Sequence, residues 1–283
     1  MRGATKLALP YLAGLFLLVA VPALLAFALA FTEFPAVAAP RFNGVDNFIR
    51  LFRDAGYATA LWNSLIYLAL SVPLRVVAAV GIALLMYRRS RGVGAARAAA
   101  YLPTVVPDVA FGLLWLWLLN PLYGPIPGAL QALGLPSPDW LIDPWSARFA
   151  VAIMSAFQIG EGFVIALAVR RLIPSSLYEA ALLDGAGPWF TLTRLTLPLM
   201  APAIALLALR DVVLALQANF VPALIVTDGG PRLATTFLSI YVYRQAFAYF
   251  RLGYASTISL TMFVLTAGIV YAQYRLARRW RLL

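Results

Sequence analysis

Five ionisable side chains fall inside stretches of sequence that are otherwise apolar: Arg75, Asp108, Glu161 and the adjacent pair Arg210 and Asp211. A charge held near the middle of a bilayer costs about 2.5 to 3.5 kcal/mol on insertion scales, so each such residue marks a solute pathway or a partner that neutralises it. Phe157, Gln158 and Glu161 are spaced to share one face of a helix, with 158 and 161 three apart and 157 and 161 four apart. An aromatic ring beside planar hydrogen-bonding side chains is the chemistry of sugar binding: the ring stacks on the apolar face of the sugar and the amide and carboxylate take its hydroxyls. The alternative is that Arg75, Arg210 and the acids pair with one another, which makes their burial tolerable. Other chemistries are missing. The chain has no cysteine and no histidine, which removes thiolate nucleophiles, disulfides, imidazole bases and the commonest zinc ligands. Its only lysine is Lys6, so it cannot supply a G-x-x-x-x-G-K-[ST] phosphate loop, and any ATP chemistry has to come from another subunit.

The elements that must position these residues are set by hydropathy. Of the 283 residues 63% are hydrophobic and 12% charged, and the mean hydropathy is +0.86, which excludes an ordinary soluble domain. A hydrocarbon core of about 30 Å needs roughly 20 apolar residues at 1.5 Å each. Six runs meet that length, at about 7–31, 62–87, 98–119, 149–169, 199–226 and 254–277, and predict an all-α integral membrane protein forming one transmembrane domain. The first run is longer than the apolar core of a signal peptide and no small-residue cleavage site follows it, so it reads as a retained span. Pro103 and Pro107 in the third run and Pro202 early in the fifth are expected to kink their helices. Trp115 and Trp117, near one end of the third run, read as an interfacial belt. Pro121, Gly124, Pro125, Pro127 and Gly128 prevent a continuous helix between the third and fourth runs.

Charge gives the orientation. The net charge of +11 is strongly uneven: Arg2, Lys6, Arg88, Arg89, Arg91, Arg97, Arg170, Arg171, Arg194, Arg275, Arg278, Arg279 and Arg281 flank one side of the six runs with only Glu179 and Asp184 among them. By the positive-inside rule this side is cytoplasmic and both termini lie inside. The opposite loops mix Arg41, Arg50, Arg53, Arg148, Arg232, Arg244 and Arg251 with six acids. The high pI therefore signals topology, and nucleic acid is not expected as a partner.

The loop at about 170–198 carries the most specific signal. Ser176 and Glu179 have capping-box spacing, Ala180 and Ala181 favour helix, and Gly185 suits the left-handed residue that ends one. Pro188 then predicts a second short helix through Trp189 and Phe190 to Arg194, before Leu197-Pro198 leads into the fifth span. Glu179-Ala180-Ala181, Asp184-Gly185-Ala186 and Leu195-Thr196-Leu197-Pro198 in this register resemble the hallmark of the inner-membrane permeases of binding-protein-dependent ABC importers. Tyr101 to Pro107, Trp115-Leu116-Trp117, Asn120 to Gly124, Trp140 to Pro144, Thr227 to Pro231, Ala234-Thr235, Tyr241 to Phe247 and the Phe42-Asn43-Gly44 and Asn47-Phe48 pair are similar to the carbohydrate branch, the larger permease of maltose-type importers.

That resemblance implies a type I ABC importer permease fold with six transmembrane helices and a cytoplasmic coupling helix, multi-pass in the inner membrane lipid. It implies a second homologous permease, two ATP-binding subunits that hold ATP and Mg, an extracytoplasmic solute-binding protein and a sugar as cargo, with no cofactor and no catalytic residue in this chain. Glu179, Ala180, Ala181, Asp184, Gly185, Ala186, Leu197 and Pro198 would couple to the ATPase; Phe157, Gln158, Glu161 and Asp211, with the adjacent Arg210, would line the solute pathway. Three other readings compete. Arg75 or Arg210 could hold the anion of a glycerol phosphate; Asp108, Glu161 and Asp211 could couple ions in a secondary transporter, though no internal repeat is evident; a membrane enzyme lacks a coherent catalytic constellation.

Overall fold

The computed structural model describes residues 2–88, 90–217 and 220–279. Arg89 and Arg281, counted above among the flanking charges, lie outside the described residues, as does the pair 218–219 within the fifth expected span.

Among the described residues four helices are long and apolar enough to cross a membrane: Ala8–Leu29, Ala55–Leu85, Pro188–Gln217 and Leu252–Arg279. Two bent pairs, Val93–Val105 with Asp108–Leu118 and Pro144–Phe157 with Gly160–Leu172, bring the number to six when each is counted as one crossing. The fifth crossing starts ahead of its expected bound at 199 and ends at Gln217, with Phe220–Thr227 a separate helix. The Ala8–Leu29 window has none of its residues buried, so its apolar surface needs lipid or other helices around it.

The third span breaks by 104°, and the break discriminates between its two prolines. Pro103 stays inside the Val93–Val105 helix. Val106 is extended (ψ 128°), as a residue before proline prefers, and Pro107 with Asp108 opens the next helix, where a carboxylate favours the positive end of the dipole. Pro73 and Pro202 likewise sit within continuous helices.

The fourth span bends by 52° with no proline. Its first helix ends at Gln158 (ψ 46°) and the second starts at Gly160. Phe157 and Gln158 therefore do not share a continuous helical face with Glu161, contrary to the spacing expectation. The physical reason is tertiary: the backbone groups freed by the break find partners on neighbouring helices. The Gly160 N–H donates to Thr104 Oγ1 at 2.9 Å, and a Cβ at Gly160 would collide with that hydroxyl and press on Tyr101.

Contacts divide the chain into two compact units. In the unit made of residues 62–237 and 266–283, one core joins Val80, Ala83, Phe163, Ala166, Leu167, Met200 and Leu207, and a second joins Phe111, Trp115, Leu119, Ala150, Met154 and Val226. Trp115 is thus a core residue, 5% exposed, and not part of an interfacial belt; Trp117 is 53% exposed. The side chain at 115 faces Phe111 and Phe157 because it lies one turn from Phe111 on the helix face packed in this core. Gly112 admits Ile225, whose side chain lies 3.1 Å from where a Cβ would stand.

The other unit comprises residues 1–61 and 238–265. It contains a feature that an all-helical reading omits, an antiparallel strand pair of Thr32–Glu33 with Arg41–Phe42. Asn47 donates to the Ala30 and Thr32 carbonyls, so the chain leaving the first helix is pinned by a side chain. Asp54 precedes the Ala55–Leu85 helix and accepts hydrogen bonds from the hydroxyls of Tyr241 (2.6 Å) and Tyr254 (2.5 Å) and from the Gly56 and Tyr57 N–H groups. Burial pushes the Asp54 carboxyl up, but these four donors outweigh it and hold it below the ordinary carboxylate value.

The folded unit therefore binds this proton less readily than the unfolded chain, and the stabilisation is complete above the ordinary pKa and lost as pH falls through the lowered one. Asp54→Asn is expected to lower the thermal midpoint at neutral pH and to flatten the acid loss of stability below about pH 4, read by thermal unfolding in detergent across pH.

Candidate functional site

Four of the five intramembrane charges form one network. Arg75, on the Ala55–Leu85 helix, donates through Nη1 to the Ser155 carbonyl (2.8 Å) and through Nη2 to the Gln158 carbonyl (3.2 Å). Both carbonyls lie where the fourth span breaks, the Ser155 carbonyl also taking the Gln158 N–H at 3.2 Å, so a cation from span two caps the C-terminal end of the Pro144–Phe157 helix. The Arg75 Nε lies 3.6 Å from Asp211 Oδ2, with side-chain exposures of 9% and 5%. Asp211 Oδ1 is 3.3 Å from Arg210 Nη1, and Arg210 Nη2 closes on Glu161 Oε2. Glu161 stands in the first turn of the Gly160–Leu172 helix, where the dipole favours its charge. Among the described residues Asp108 pairs with no arginine; its Oδ1 accepts from Gln158 Nε2 at 3.5 Å.

The structure thus brings Gln158, Glu161, Arg210 and Asp211 together, with Arg75 beneath them. Asp211 and Arg75 are interior, while the Glu161 side chain is 58% exposed and Arg210 29%. Phe157, next to Gln158 in the chain, is half exposed, its ring edge-on to Trp115 at 5.0 Å. Self-pairing and an open polar face coexist: the inner pair neutralises burial, and the outer pair keeps polar groups accessible.

The 170–198 loop differs from its expected form at two points. The short helix runs Ser175–Leu183 with Pro174 as N-cap and no capping side chain, so the Ser176–Glu179 capping box does not form. Pro174 holds Ile173 extended (ψ 121°) and starts the helix two residues earlier, leaving Ser176 already helical. Its C-terminus is as expected: Gly185 takes φ +76°, with Gly185 N–H to the Leu182 carbonyl (3.0 Å) and Ala186 N–H to the Ala181 carbonyl (2.9 Å), a Schellman closure. The second helix is not separate. Pro188–Phe190 continues through a π turn at Thr191–Thr196 into Leu197–Gln217, and the Leu197 N–H reaches the Leu192 carbonyl. Pro198 has no N–H to continue an ordinary ladder, and the wider turn is placed just before it.

Glu179, Ala180, Asp184 and Gly185 are exposed, as are Leu182 (74%), Leu183 (88%) and Trp189 (75%). Charged and apolar groups thus share the exposed surface of this short helix. Residues that sequence reasoning missed lie beneath it. Arg170, read as a flanking charge, is 7% exposed between the rings of Tyr87 and Tyr178. A desolvated cation–π contact is worth about 2 kcal/mol, enough to make this burial tolerable. Nothing in the spacing of 87, 170 and 178 announces that contact.

Six apolar crossings, a surface helix closed by a left-handed glycine and an ion network at a broken span define a type I ABC importer permease. The chain belongs to the family of binding-protein-dependent transport system inner membrane components, whose model matches residues 75–282. It is 30% identical to the probable ABC transporter permease protein YesP of Bacillus subtilis (strain 168), covering 96% of this chain and 89% of that protein. The sn-glycerol-3-phosphate transport system permease UgpA of Yersinia pestis is 33% identical over 84% of this chain and 81% of its own length. Among solved structures, a bacterial ABC transporter involved in the import of the acidic polysaccharide alginate superposes with a TM-score of 0.83 at 25% identity, covering 98% of this chain and 95% of that one.

Removing one member of a buried ion pair strands the other, at a cost of about 3 to 5 kcal/mol. Arg75→Met is expected to lose stability on that scale, and Arg75→Met with Asp211→Asn to recover only the part due to the stranded carboxylate, because the Ser155 and Gln158 carbonyls still lack their donor, as measured by thermal unfolding in detergent.

Proposed function

We propose that this chain is one of two related permease subunits of a carbohydrate importer, and that its cargo is an uncharged mono-, di- or oligosaccharide. The observation that carries the reading is the state of the two arginines. Arg75 is committed to two carbonyls and Asp211, and Arg210 to Asp211 and Glu161. Each guanidinium is already matched by a carboxylate, so the four charges sum to zero and leave no net positive charge to draw in a phosphate or carboxylate, although glycerol phosphate and alginate are among the solutes named for similar proteins. The remaining acid, Asp108, adds a negative charge that disfavours an anion further. What the site offers is Gln158, Glu161 and Arg210 as hydroxyl partners, with a half-exposed Phe157 ring next to Gln158 in the chain.

The 170–198 loop would sit on the cytoplasmic side, as the basic flanks indicate, and seat in a groove of an ATP-binding subunit. Two such subunits hold the ATP and Mg, so transport draws its energy from partners and this chain performs no catalysis of its own. A solute-binding protein docks on the extracytoplasmic face and releases sugar as the ATPase pair closes. Glu179 and Asp184 supply charge at the contact, Ala180, Ala181 and Ala186 allow close approach, and Gly185 reverses the chain. Leu197 and Pro198 begin the helix that carries the displacement into the membrane next to Arg210 and Asp211.

The test is uptake by the complex purified with its partners and reconstituted in vesicles, with glucose, galactose, lactose, maltose and glycerol 3-phosphate as radiolabelled probes. Uptake of a neutral sugar, not competed by glycerol 3-phosphate, is expected, and Gly185→Asp should cut it at least tenfold while ATP hydrolysis continues. Uptake confined to glycerol 3-phosphate would overturn the cargo, and normal uptake by Gly185→Asp would overturn the coupling role.

A further inference from the structure

Arg170 lies at the end of the fourth span, where a basic side chain ordinarily reaches into water. Instead its guanidinium is enclosed, 4.1 Å from the ring centre of Tyr87 and 4.3 Å from that of Tyr178, and its Nε makes no hydrogen bond. Both rings are themselves anchored. Tyr87 follows the Ala55–Leu85 helix, and Arg97, on the helix that opens the third span, donates to the Met86 carbonyl (3.0 Å) and the Arg88 carbonyl (3.1 Å), fixing the backbone on either side of it. Tyr178 belongs to the Ser175–Leu183 helix, and its hydroxyl lies 3.1 Å from Thr196 Oγ1 in the π turn of the fifth span. Thr196 spends its own proton on the Thr191 carbonyl (3.2 Å), so Tyr178 is the donor to Thr196.

One guanidinium therefore gathers segments of spans two, three, four and five against the inward side of the short helix. Leu182 and Leu183 on the same helix remain exposed for a partner. Only a planar cation can accept a ring on each face; an ammonium cannot. A stack of this kind resists separation but permits small rotations, because it lacks the narrow geometry of a hydrogen bond at Nε.

We infer that the Tyr87–Arg170–Tyr178 stack is the joint that passes displacement of the Ser175–Leu183 helix to the membrane spans, with Arg170, Tyr87 and Tyr178 as positioning residues. The inference rests on the proposed docking of an ATPase on this loop. The joint holds the short helix and the fourth span as one body, so the two should not separate when nucleotide is trapped. Loss of either ring or of the planar cation lets the helix follow the ATPase while the spans stay behind.

The chain has no cysteine, so spin labels at Ser176→Cys and Val164→Cys report one distance, from the short helix to span four. In the assembled complex this distance is expected to be narrow and the same without nucleotide and after trapping with ATP and vanadate. Tyr178→Leu and Arg170→Met should each broaden it at least twofold, and lower the amount of radiolabelled panel sugar imported per ATP hydrolysed at least tenfold. Tyr178→Phe keeps the ring and should leave the width native. Native widths in Tyr178→Leu and Arg170→Met, a wild-type distance that shifts on trapping, or loss of ATPase subunits from both variants would each overturn the joint. Failure of the docking reading shows separately: Leu183→Glu would then leave the ATPase subunits bound on purification.

Discussion

A backbone that breaks inside an apolar bundle exposes carbonyls and N–H groups that water cannot satisfy, and the rest of this structure is arranged around how one such break is closed. Arg75 takes the Ser155 and Gln158 carbonyls and Thr104 takes the Gly160 N–H. Each donor or acceptor comes from a different span. Burying Arg75 then requires Asp211, Asp211 draws in Arg210, and Arg210 reaches Glu161. The chain of pairings ends at an exposed carboxylate. A polar face is thus carried from a dry interior to an accessible surface without leaving an unpaired charge behind it.

The second organised region uses the opposite solution. At the 170–198 loop a cation is buried by aromatic faces and no carboxylate is involved. A fixed ion network suits a site that must hold its shape, and a stack suits a contact that has to move with a partner and stay closed. The Pro188–Gln217 helix connects the two: Thr196 touches the loop near its start, and Arg210 and Asp211 stand about four turns further on.

Much of this was legible because it is local. Hydropathy located six crossings, and Gly185 announced its left-handed turn, since both signals reside in neighbouring residues. The family was legible from the register of the 170–198 loop, although the capping box failed because Pro174 starts the helix ahead of Ser176. The break at Gln158 was not legible. No proline marks it, and its cause is a guanidinium 80 residues earlier in the chain. For the same reason Phe157, Gln158 and Glu161 were expected on one helical face that the bend divides. Arg170 and Trp115 were misread as surface residues because their types are common at membrane interfaces, and only packing shows which rings enclose them.

If the break in span four is the wall of the solute path, a residue on its open face must be reached by water and covered by cargo. Phe157 is half exposed and bears no charge of the network, and a single cysteine there has no competitor in the chain. The decisive measurement is the rate at which Phe157→Cys in the reconstituted complex reacts with a charged, membrane-impermeant thiol reagent. Reaction that is slowed by the transported sugar and changes on vanadate trapping is expected. A cysteine that never reacts, or reacts at one rate whatever the sugar and nucleotide, would contradict the placement of the pathway.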